Sequence, residues 1–422
     1  MSEIGYQSQG LQSWGAMADE ANETNPALRW PRSIEVFDKM RREDSQVGSV
    51  LRAVTFPIRS TTWMIDPAGA SDDVVDLVAD SLGLPVKGRL ATAPLRNRGR
   101  FDFDEHLRLA LLELVYGHSV FEQVYRVDGA GRLRLRKLAW RPPRTIAKWD
   151  VADDGGLVAV EQEAPSAHKG KVRIPVDKLV VYTSEREGAN WIGQSLLRTA
   201  YKNWLLKDRM LRAQALTIER NGLGIPVFTG AELPDGVEMT TAEVEAWHTA
   251  QRVEGLKLAK ELRAGENAGA SIPATSKLDL IGVTGKLPDT EGPIRYHDEQ
   301  IARAVLAHFL NLGTETGSWA LGSTFANFFT DSLNATSGHI AGVLQRHVVE
   351  DLVDANWGET EPAPQIVAAT IGEEQPATAE AIKSLVDCGA IRTDRSLEEY
   401  LRQRYRLPVK DAPTTMQPKE GE

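Results

Sequence analysis

Two long stretches that suit helices, separated by an insertion, constrain the architecture of this chain more than any other feature. Residues 192–220 contain no proline and only one glycine, Gly193. Apolar or aromatic side chains recur near heptad spacing along this stretch, at Leu197, Tyr201, Trp204, Leu211, Ala215 and Ile218. The spacing predicts a helix of about 40 Å. It ends at Asn221 and Gly222, a pair typical of helix stops.

A second helix is predicted to begin at Pro293, a residue well suited to a helix N-terminus. One side of it carries Ile294, Ile301, Val305, His308 and Leu312, and Gly313 ends it. Between the two helices, residues 222–292 alternate strand and helix patterns, with a helix break expected near Gly255. The order predicts a helical hairpin that carries a small α+β insertion.

The sequence NLGTETGSWALGS, residues 311–323, follows the second helix and is rich in glycine. It lacks the Lys-Ser/Thr pair that a phosphate-binding loop needs after its last glycine. Ser323 or Thr324 is placed to cap a further helix that runs to about Trp357. We therefore expect a mobile link between two rigid helices, with Trp319 either at the tip of the loop or anchoring it against a neighbouring subunit.

The first half of the chain predicts a mixed α+β body. The first ~30 residues are polar and are expected to form a flexible arm. A helix capped by Asp44 or Ser45 precedes a strand at residues 61–68, and another helix stops at Gly117. Two strands flank a turn at residues 128–131, which begins with the Asp-Gly pair of a hairpin.

Chemistry-bearing motifs are missing from the sequence. The single cysteine, Cys388, excludes internal disulfides and cysteine-based zinc sites and fits a reducing cytoplasm. The eight histidines are scattered, and no nucleophile elbow is present. We predict no catalytic site, no metal and no cofactor, and find no transmembrane or secretory segment.

The charge of the chain limits how tightly it can bind nucleic acid. The net charge of -10 argues against a basic groove that grips DNA over the whole surface, although DNA could still slide past. The first long helix carries Lys202, Arg209 and Arg212, which either face a DNA channel or form a solvated helix face.

At this point the order of segments resembles the portal proteins of tailed bacteriophages, in the group that includes Mu-like portals. RSTTWMIDP, LLELVYGHSVFEQVYR and LRKLAWRPPRTI resemble an N-terminal wing. EGANWIGQSLLRTAYKNWLLKDRMLRAQALTIERNGLGIPVF resembles a first stem helix entering a clip. DEQIARAVLAHFLNLGTETGSWALGSTFANFF resembles the second stem helix, the tunnel loop and a returning helix. LVDCGAIRTDRSLEEYLRQRYRLP resembles a crown segment.

The resemblance implies an α+β portal fold whose boundaries follow the chain: an arm (1–30), a wing (31–190), a first stem helix (191–221), a clip (222–292), a second stem helix (293–312), a tunnel loop (313–323), a long wing helix with its return segment (324–372), a short helical crown (373–408) and a polar tail (409–422). The loop residues implied to face the DNA are Gly313, Thr314, Glu315, Thr316, Gly317, Ser318 and Trp319. The residues implied to pack stem helices and subunits are Leu197, Tyr201, Trp204, Leu211, Ile301, Val305 and Leu312.

The same resemblance implies a non-enzymatic homo-oligomeric ring, usually of 12 subunits, at one capsid vertex of a virion assembled in the host cytoplasm. Double-stranded DNA would pass through it during packaging and ejection, without sequence preference. Its protein partners would be the terminase large subunit, the capsid or scaffold protein and a head-tail connector. Two alternatives stay open: another structural virion component, such as a head-completion or baseplate protein, and an enzyme, either a metal-dependent nuclease or a terminase-like ATPase.

Overall fold

The computed structural model describes residues 23–89, 101–164, 170–222, 225–233, 236, 238–261, 271–272, 274–281, 290–305 and 319–372, together with positions 386 and 398. The chain divides into two units, residues 1–369 and 370–422. The crown and tail expected at residues 373–422 lie almost wholly outside the described residues. All elements discussed below belong to the first unit.

The first unit contains both helices and strands, as the sequence predicts. The helices are α1 (Arg32–Glu43), α2 (Ser45–Ser60), α3 (Asp72–Leu82), α4 (Phe103–Ala110), α5 (Glu113–Tyr116), α6 (Tyr201–Gly222), α7 (Thr241–Glu261), α8 (Glu291–Ala304), α9 (Trp319–Leu344) and α10 (Glu350–Trp357). The strands are β1 (Trp63–Asp66), β2 (His118–Val127), β3 (Leu133–Arg141), β4 (Ile146–Val151), β5 (Leu157–Glu163), β6 (Lys171–Pro175), β7 (Leu179–Thr183), β8 (Ile225–Thr229), β9 (Lys277–Ile281) and β10 (Gln365–Ala368).

Two three-stranded antiparallel sheets form the centre of the α+β body. One has the order β3-β2-β7 and the other β4-β5-β6. Apolar side chains from both sheets make a common buried cluster of Val120, Ile146, Leu157, Val160, Ile174 and Leu179. The predicted hairpin at residues 128–131 is confirmed, because β2 and β3 pair on either side of it.

Side-chain capping fixes the start of α2, where the sequence offered two candidates. The Asp44 carboxylate accepts hydrogen bonds from the backbone N–H groups of Gln46 and Val47, at 2.9 and 3.0 Å. This satisfies two donors that a helix N-terminus leaves free. Pro57 lies inside the last turn of α2, which ends at Ser60.

The long helix predicted to run to Trp357 does end there, but it is not a regular α-helix throughout. Between α9 and α10, residues 345–349 form a π-helical turn. Buried apolar side chains continue across it, from Ile340 and Leu344 to Val348 and Leu352. The π turn thus keeps one buried stripe in contact with the sheet β3-β2-β7.

Two helix boundaries differ from the sequence predictions. The first long helix begins at Tyr201 rather than near residue 192. Residues 319–323, expected at the end of a loop, are helical, so Trp319 is the first residue of α9 and Ser323 lies inside it. Nothing in this short stretch forbids helix, since Ala320 and Leu321 are strong helix formers. The rest of the expected loop, residues 313–318, lies outside the described residues.

The insertion between the long helices contains the β8-β9 pair and α7. The break expected at Gly255 is absent, because α7 continues through it. A β-carbon at Gly255 would lie 2.1 Å from Cδ1 of Phe228, so this glycine permits a close approach of strand β8 rather than ending the helix. Of the helices in the described ranges, none is both long and apolar enough to cross a membrane.

The N-terminal arm expected over residues 1–30 is also shorter than predicted. Residues 23–30 are held in the fold: Leu28 is buried, and Glu23 forms an ion pair with Arg198. Residues 1–22 lie outside the described residues.

Candidate functional site

The candidate site is the place where the long-helix hairpin joins the α+β body, called here the stem root. It comprises α6, α8, the N-terminus of α2, and the connecting segment at residues 184–200. Helices α6 and α8 pack side by side, and His297 Nδ1 lies 3.1 Å from Oδ1 of Asn203 between them. Ile301 and Val305 are fully buried at this root.

A buried lysine joins three elements of the stem root. Lys207 of α6 is only 5% exposed. Its Nζ lies 2.9 Å from Oδ2 of Asp44, at the start of α2, and 2.6 Å from Oδ1 of Asp298 on α8. Asp44 therefore both caps α2 and holds the first long helix.

The protonation of Lys207 follows from these contacts. Burial by itself would lower the pKa of Lys207, but the hydrogen bonds to Asp298 and Asp44 outweigh burial and raise it. The ammonium form is therefore retained at neutral pH. A buried charge that is paired on two sides fixes geometry, because moving either helix would leave a charge without a partner.

The connecting segment explains why α6 starts at Tyr201. Gly193 has φ of +69°, a backbone conformation that excludes it from a right-handed helix. A β-carbon there would lie 2.2 Å from the carbonyl oxygen of Gly117 and 2.7 Å from that of Ser184. The Gln194 N–H donates to Ser184 O at 2.9 Å, so long-range contacts hold this chain out of the helix.

Two further contacts pin the same segment to the end of α5. The Ser195 hydroxyl donates to the Val115 carbonyl oxygen, and the Leu196 N–H donates to Leu114 O at 2.8 Å. Leu197 is completely buried behind them. The Gly-x-Ser-Leu sequence thus forms a fixed junction, in which the glycine allows close approach and the serine and leucine anchor the chain.

Trp191 secures the other side of the junction. Its indole N–H donates to the Gly155 carbonyl oxygen at 2.9 Å, and the Arg186 guanidinium lies 4.4 Å from its ring centroid. Its ring packs against the cluster shared by the two sheets. The root of the hairpin is therefore tied to both sheets and to three helices.

The packing residues predicted for the first stem helix differ in burial, and Leu197 precedes α6. Leu197 is buried, and Tyr201 and Trp204 are half-buried with ring centroids 6.0 Å apart. Leu211, farther along, is 42% exposed. Leu312 lies outside the described residues, as do the loop residues Gly313, Thr314, Glu315, Thr316, Gly317 and Ser318.

The basic residues of α6 also differ in exposure. Lys202, Arg209 and Arg212 are exposed, and Arg212 is paired with Asp208 one turn earlier at 2.9 Å. Lys207 of the same helix is buried. Within the described ranges, no group of three or more histidine, cysteine or acidic residues could hold a metal.

The arrangement of body, hairpin and insertion has counterparts among known proteins. The family model described as the portal protein of Mu bacteriophage matches residues 34–407. The chain belongs to this portal protein family.

Solved structures are similar to this chain at the level of the fold. One similar structure is the neck of an empty GTA particle with C6 symmetry, at 12% identity and a TM-score of 0.53, covering 89% of this chain and 94% of the other. Another is the neck of a native GTA particle with C12 symmetry, at 12% identity and a TM-score of 0.51, covering 90% and 95%. An HK97 family phage portal protein from Corynebacterium diphtheriae matches at 14% identity and a TM-score of 0.40, covering 83% and 96%. The α+β portal fold expected from the sequence is confirmed.

Proposed function

We propose that this portal-family chain assembles into a ring of about 12 copies at one vertex of a virion capsid, and that double-stranded DNA passes through the ring during packaging and ejection. In this proposal α6 and α8 are the stem, residues 222–292 the clip, and the α+β body the wing. The symmetric necks that share this fold support a ring, with the number taken from the C12 particle.

The ring proposal rests on one observation: the side chains of α6 become more exposed along the helix. Its first part is tied to α2 and α8 through Lys207. Farther along it exposes large apolar side chains, with Leu211 42%, Leu216 45% and Ile218 64% exposed. Exposed apolar residues on a regular helix favour contact with another protein surface, and in a ring that surface is the neighbouring subunit.

The DNA path is proposed from charge. The exposed cations Lys202, Arg209 and Arg212 are few, and Arg212 is already paired with Asp208. Each phosphate neutralised adds salt-dependent affinity, and a ring multiplies that affinity by its number of subunits. A first stem helix with few exposed cations and a loop at residues 313–318 whose one charged residue is Glu315 suit DNA that must slide.

The remaining partners follow from the same proposal. The terminase large subunit would dock at the clip, the capsid or scaffold protein at the wing, and a head-tail connector at the exit. We propose that Trp319, at the start of α9, adjoins the channel loop. Replacing Trp319 by Ala should impair packaging more than ring assembly if it meets DNA, and the reverse if it anchors the loop.

Negative-stain electron microscopy and mass photometry of the purified full-length chain test the ring directly. Rings with a central hole are expected. A uniform monomer at high concentration, also in the presence of capsid protein, would contradict the proposal. A plasmid-nicking assay with Mg²⁺ and a phosphate-release ATPase assay test the enzyme alternatives, and activity in either would favour them.

A further inference from the structure

The β2-β3 ribbon presents two chemically different faces. One face carries Phe121, Gln123 and Leu138, which are buried, and Gln123 contacts the π turn and α10. On the opposite face the ribbon carries basic residues. We call it the cationic face, and its members are Arg126, Arg134, Arg136, Lys137 and Arg141.

A β-bulge concentrates this charge. Val124 pairs with Lys137 and Tyr125 pairs with Leu135, so Arg136 is the extra residue in β3. In a bulge of this kind two residues of one strand oppose a single residue of the other. Arg136 and Lys137 are therefore presented together opposite Val124, and both are exposed.

The carboxylates near this face already form ion pairs with two of its arginines. Asp128 holds Arg134 at 2.7 Å, Asp80 lies 3.5 Å from the same guanidinium, and Glu122 holds Arg141. Arg126, Arg136 and Lys137 have no side-chain ion pair or hydrogen bond with any residue that the structure describes. The Nε–H of Arg126 is moreover shielded from solvent without an acceptor.

Three cations of this ribbon thus lack a carboxylate partner among the described residues, in a chain whose net charge is -10. Cations free of intramolecular carboxylates are the footprint of a polyanion.

We propose that the cationic face binds the phosphate backbone of double-stranded DNA at a site on the body, separate from the stem. The inference rests on the proposed function, since it assumes that this chain works beside packaged DNA. It adds a second DNA-contacting surface, formed by Arg126, Arg136 and Lys137.

The composition of the face favours duplex DNA over other polyanions. Protein interfaces usually have an aromatic or apolar centre. Beside Arg136 and Lys137 this face offers Val124, whereas Val120 farther along is buried in the core cluster. Single strands stack their bases on exposed aromatic side chains, whereas Tyr125 and Trp140 belong to the other face of the ribbon. Cations with no aromatic neighbour on this face and with Val124 beside them suit a backbone that offers only phosphates.

The expected affinity is modest and sensitive to salt. Three neutralised phosphates give a slope of about -2.7 in log affinity against log salt, or roughly a 40-fold loss between about 50 and 200 mM salt. This is weak enough to leave DNA movable and strong enough to measure.

The test compares two sets of three substitutions in the full-length chain. Arg126→Gln, Arg136→Gln and Lys137→Gln together neutralise the three unpaired cations of the cationic face. Lys202→Gln, Arg209→Gln and Arg212→Gln remove the same charge from α6 and serve as the matched control. Fluorescence anisotropy with a short labelled duplex of mixed sequence measures affinity over a salt series, and circular dichroism checks folding. Arg136→Lys keeps the charge and should keep the salt slope.

Neutralising the cationic face should reduce the magnitude of the slope by about 2.7, and the α6 variant should retain the contribution of the ribbon. An unchanged slope in the face variant, with its fold intact, would overturn the inference. So would binding of a polyglutamate probe that the face variant loses while duplex binding persists, because this would assign the face to an acidic protein. Mass photometry on the same samples keeps the two proposals distinct: rings with an unchanged slope refute only the inference, and absence of rings refutes the proposed function.

Discussion

Lys207 of α6 lies 2.6 Å from Asp298 of α8 and 2.9 Å from Asp44 at the start of α2, measured from Nζ to the nearest carboxylate oxygen. One ammonium group therefore sets the position of both hairpin helices relative to the body. Because two carboxylates share it, the loss of this lysine leaves two charges without their partner.

The first prediction concerns this ion triad. Lys207→Met should lower the free energy of unfolding by about 3 kcal/mol, since removing one partner of a buried pair leaves uncompensated charge. Urea denaturation followed by circular dichroism measures the change. Lys202→Met, on the exposed side of the same helix, is the control and should have little effect. Equal stability of the two variants would contradict a structural role for the triad.

The second prediction concerns the glycine junction. Gly193→Ala should destabilise the fold by more than about 2 kcal/mol, because the alanine suffers both an unfavourable positive φ and collision with the Gly117 carbonyl oxygen. Gly131→Ala is a matched control: φ there is +79°, but no atom lies within 4 Å of the new β-carbon. The difference between their denaturation midpoints isolates the collision. If the two midpoints shift alike, the close approach at Gly193 is not decisive.

The third prediction uses two histidines with opposite pKa shifts. Burial lowers the pKa of His118 to about 4, against the opposing effect of its bond to Ile192 O. The hydrogen bond to Glu113 raises the pKa of His339, although burial opposes it. The stability that His118 contributes to the folded state is fully present above its unfolded pKa of about 6.5 and is lost as pH falls towards about 4. The stability that His339 contributes is fully present below its unfolded pKa and is lost as pH rises through its raised folded pKa.

His118→Gln should therefore reduce the acid-side loss of stability, by up to about 1.4 kcal/mol per pH unit. Glutamine can still donate to the Ile192 carbonyl oxygen, which limits structural damage. His339→Gln should instead flatten the decline that accompanies rising pH. Unfolding free energies measured at several pH values test this prediction. Identical pH profiles for both variants would refute the opposite pKa shifts of the two histidines.

The fourth prediction separates folding from assembly along α6. Leu197→Ala should cost about 2–5 kcal/mol of stability, because Leu197 is completely buried in its own chain. Leu211→Ala should leave the stability of the isolated chain almost unchanged and reduce ring formation. Mass photometry and denaturation of both variants test this. Rings of undiminished stability in Leu211→Ala would remove Leu211 from the proposed subunit contact.

Local features of the fold are readable from the sequence, and features that depend on distant partners are not. The cap at Asp44 and the turn at Asp128 depend on neighbours within a few residues, and both are predicted. Lys207 looks like any basic residue of a helix, because its partner Asp44 is 163 positions away. The signal that could have revealed it is position: Lys207 lies three residues after Trp204, on the side of the helix that the half-buried Tyr201 and Trp204 also occupy.

Distant partners also explain why the sequence predicts the start of the first long helix too early. Helix propensity is continuous from residue 194 onward. The close approach of Gly193 to Gly117 and Ser184, and the hydrogen bonds of residues 195 and 196 to the end of α5, hold this segment in another conformation. Of the candidate site, the sequence indicates the buried Leu197, Ile301 and Val305. The roles of Leu211, Lys202, Arg209 and Arg212 stay predictions, because they depend on a neighbouring subunit or on DNA.

The π turn at residues 345–349 has a consequence for the angular phase of the helices on either side. Each residue of an α-helix advances the chain by 100°, so the one additional residue in a π turn rotates everything beyond it by roughly that angle. Without it, the buried Leu352 and Val353 of α10 would turn away from the sheet that Ile340 and Leu344 cover. Removing a single residue here would therefore reorient a whole helix, whereas most substitutions would alter only one contact.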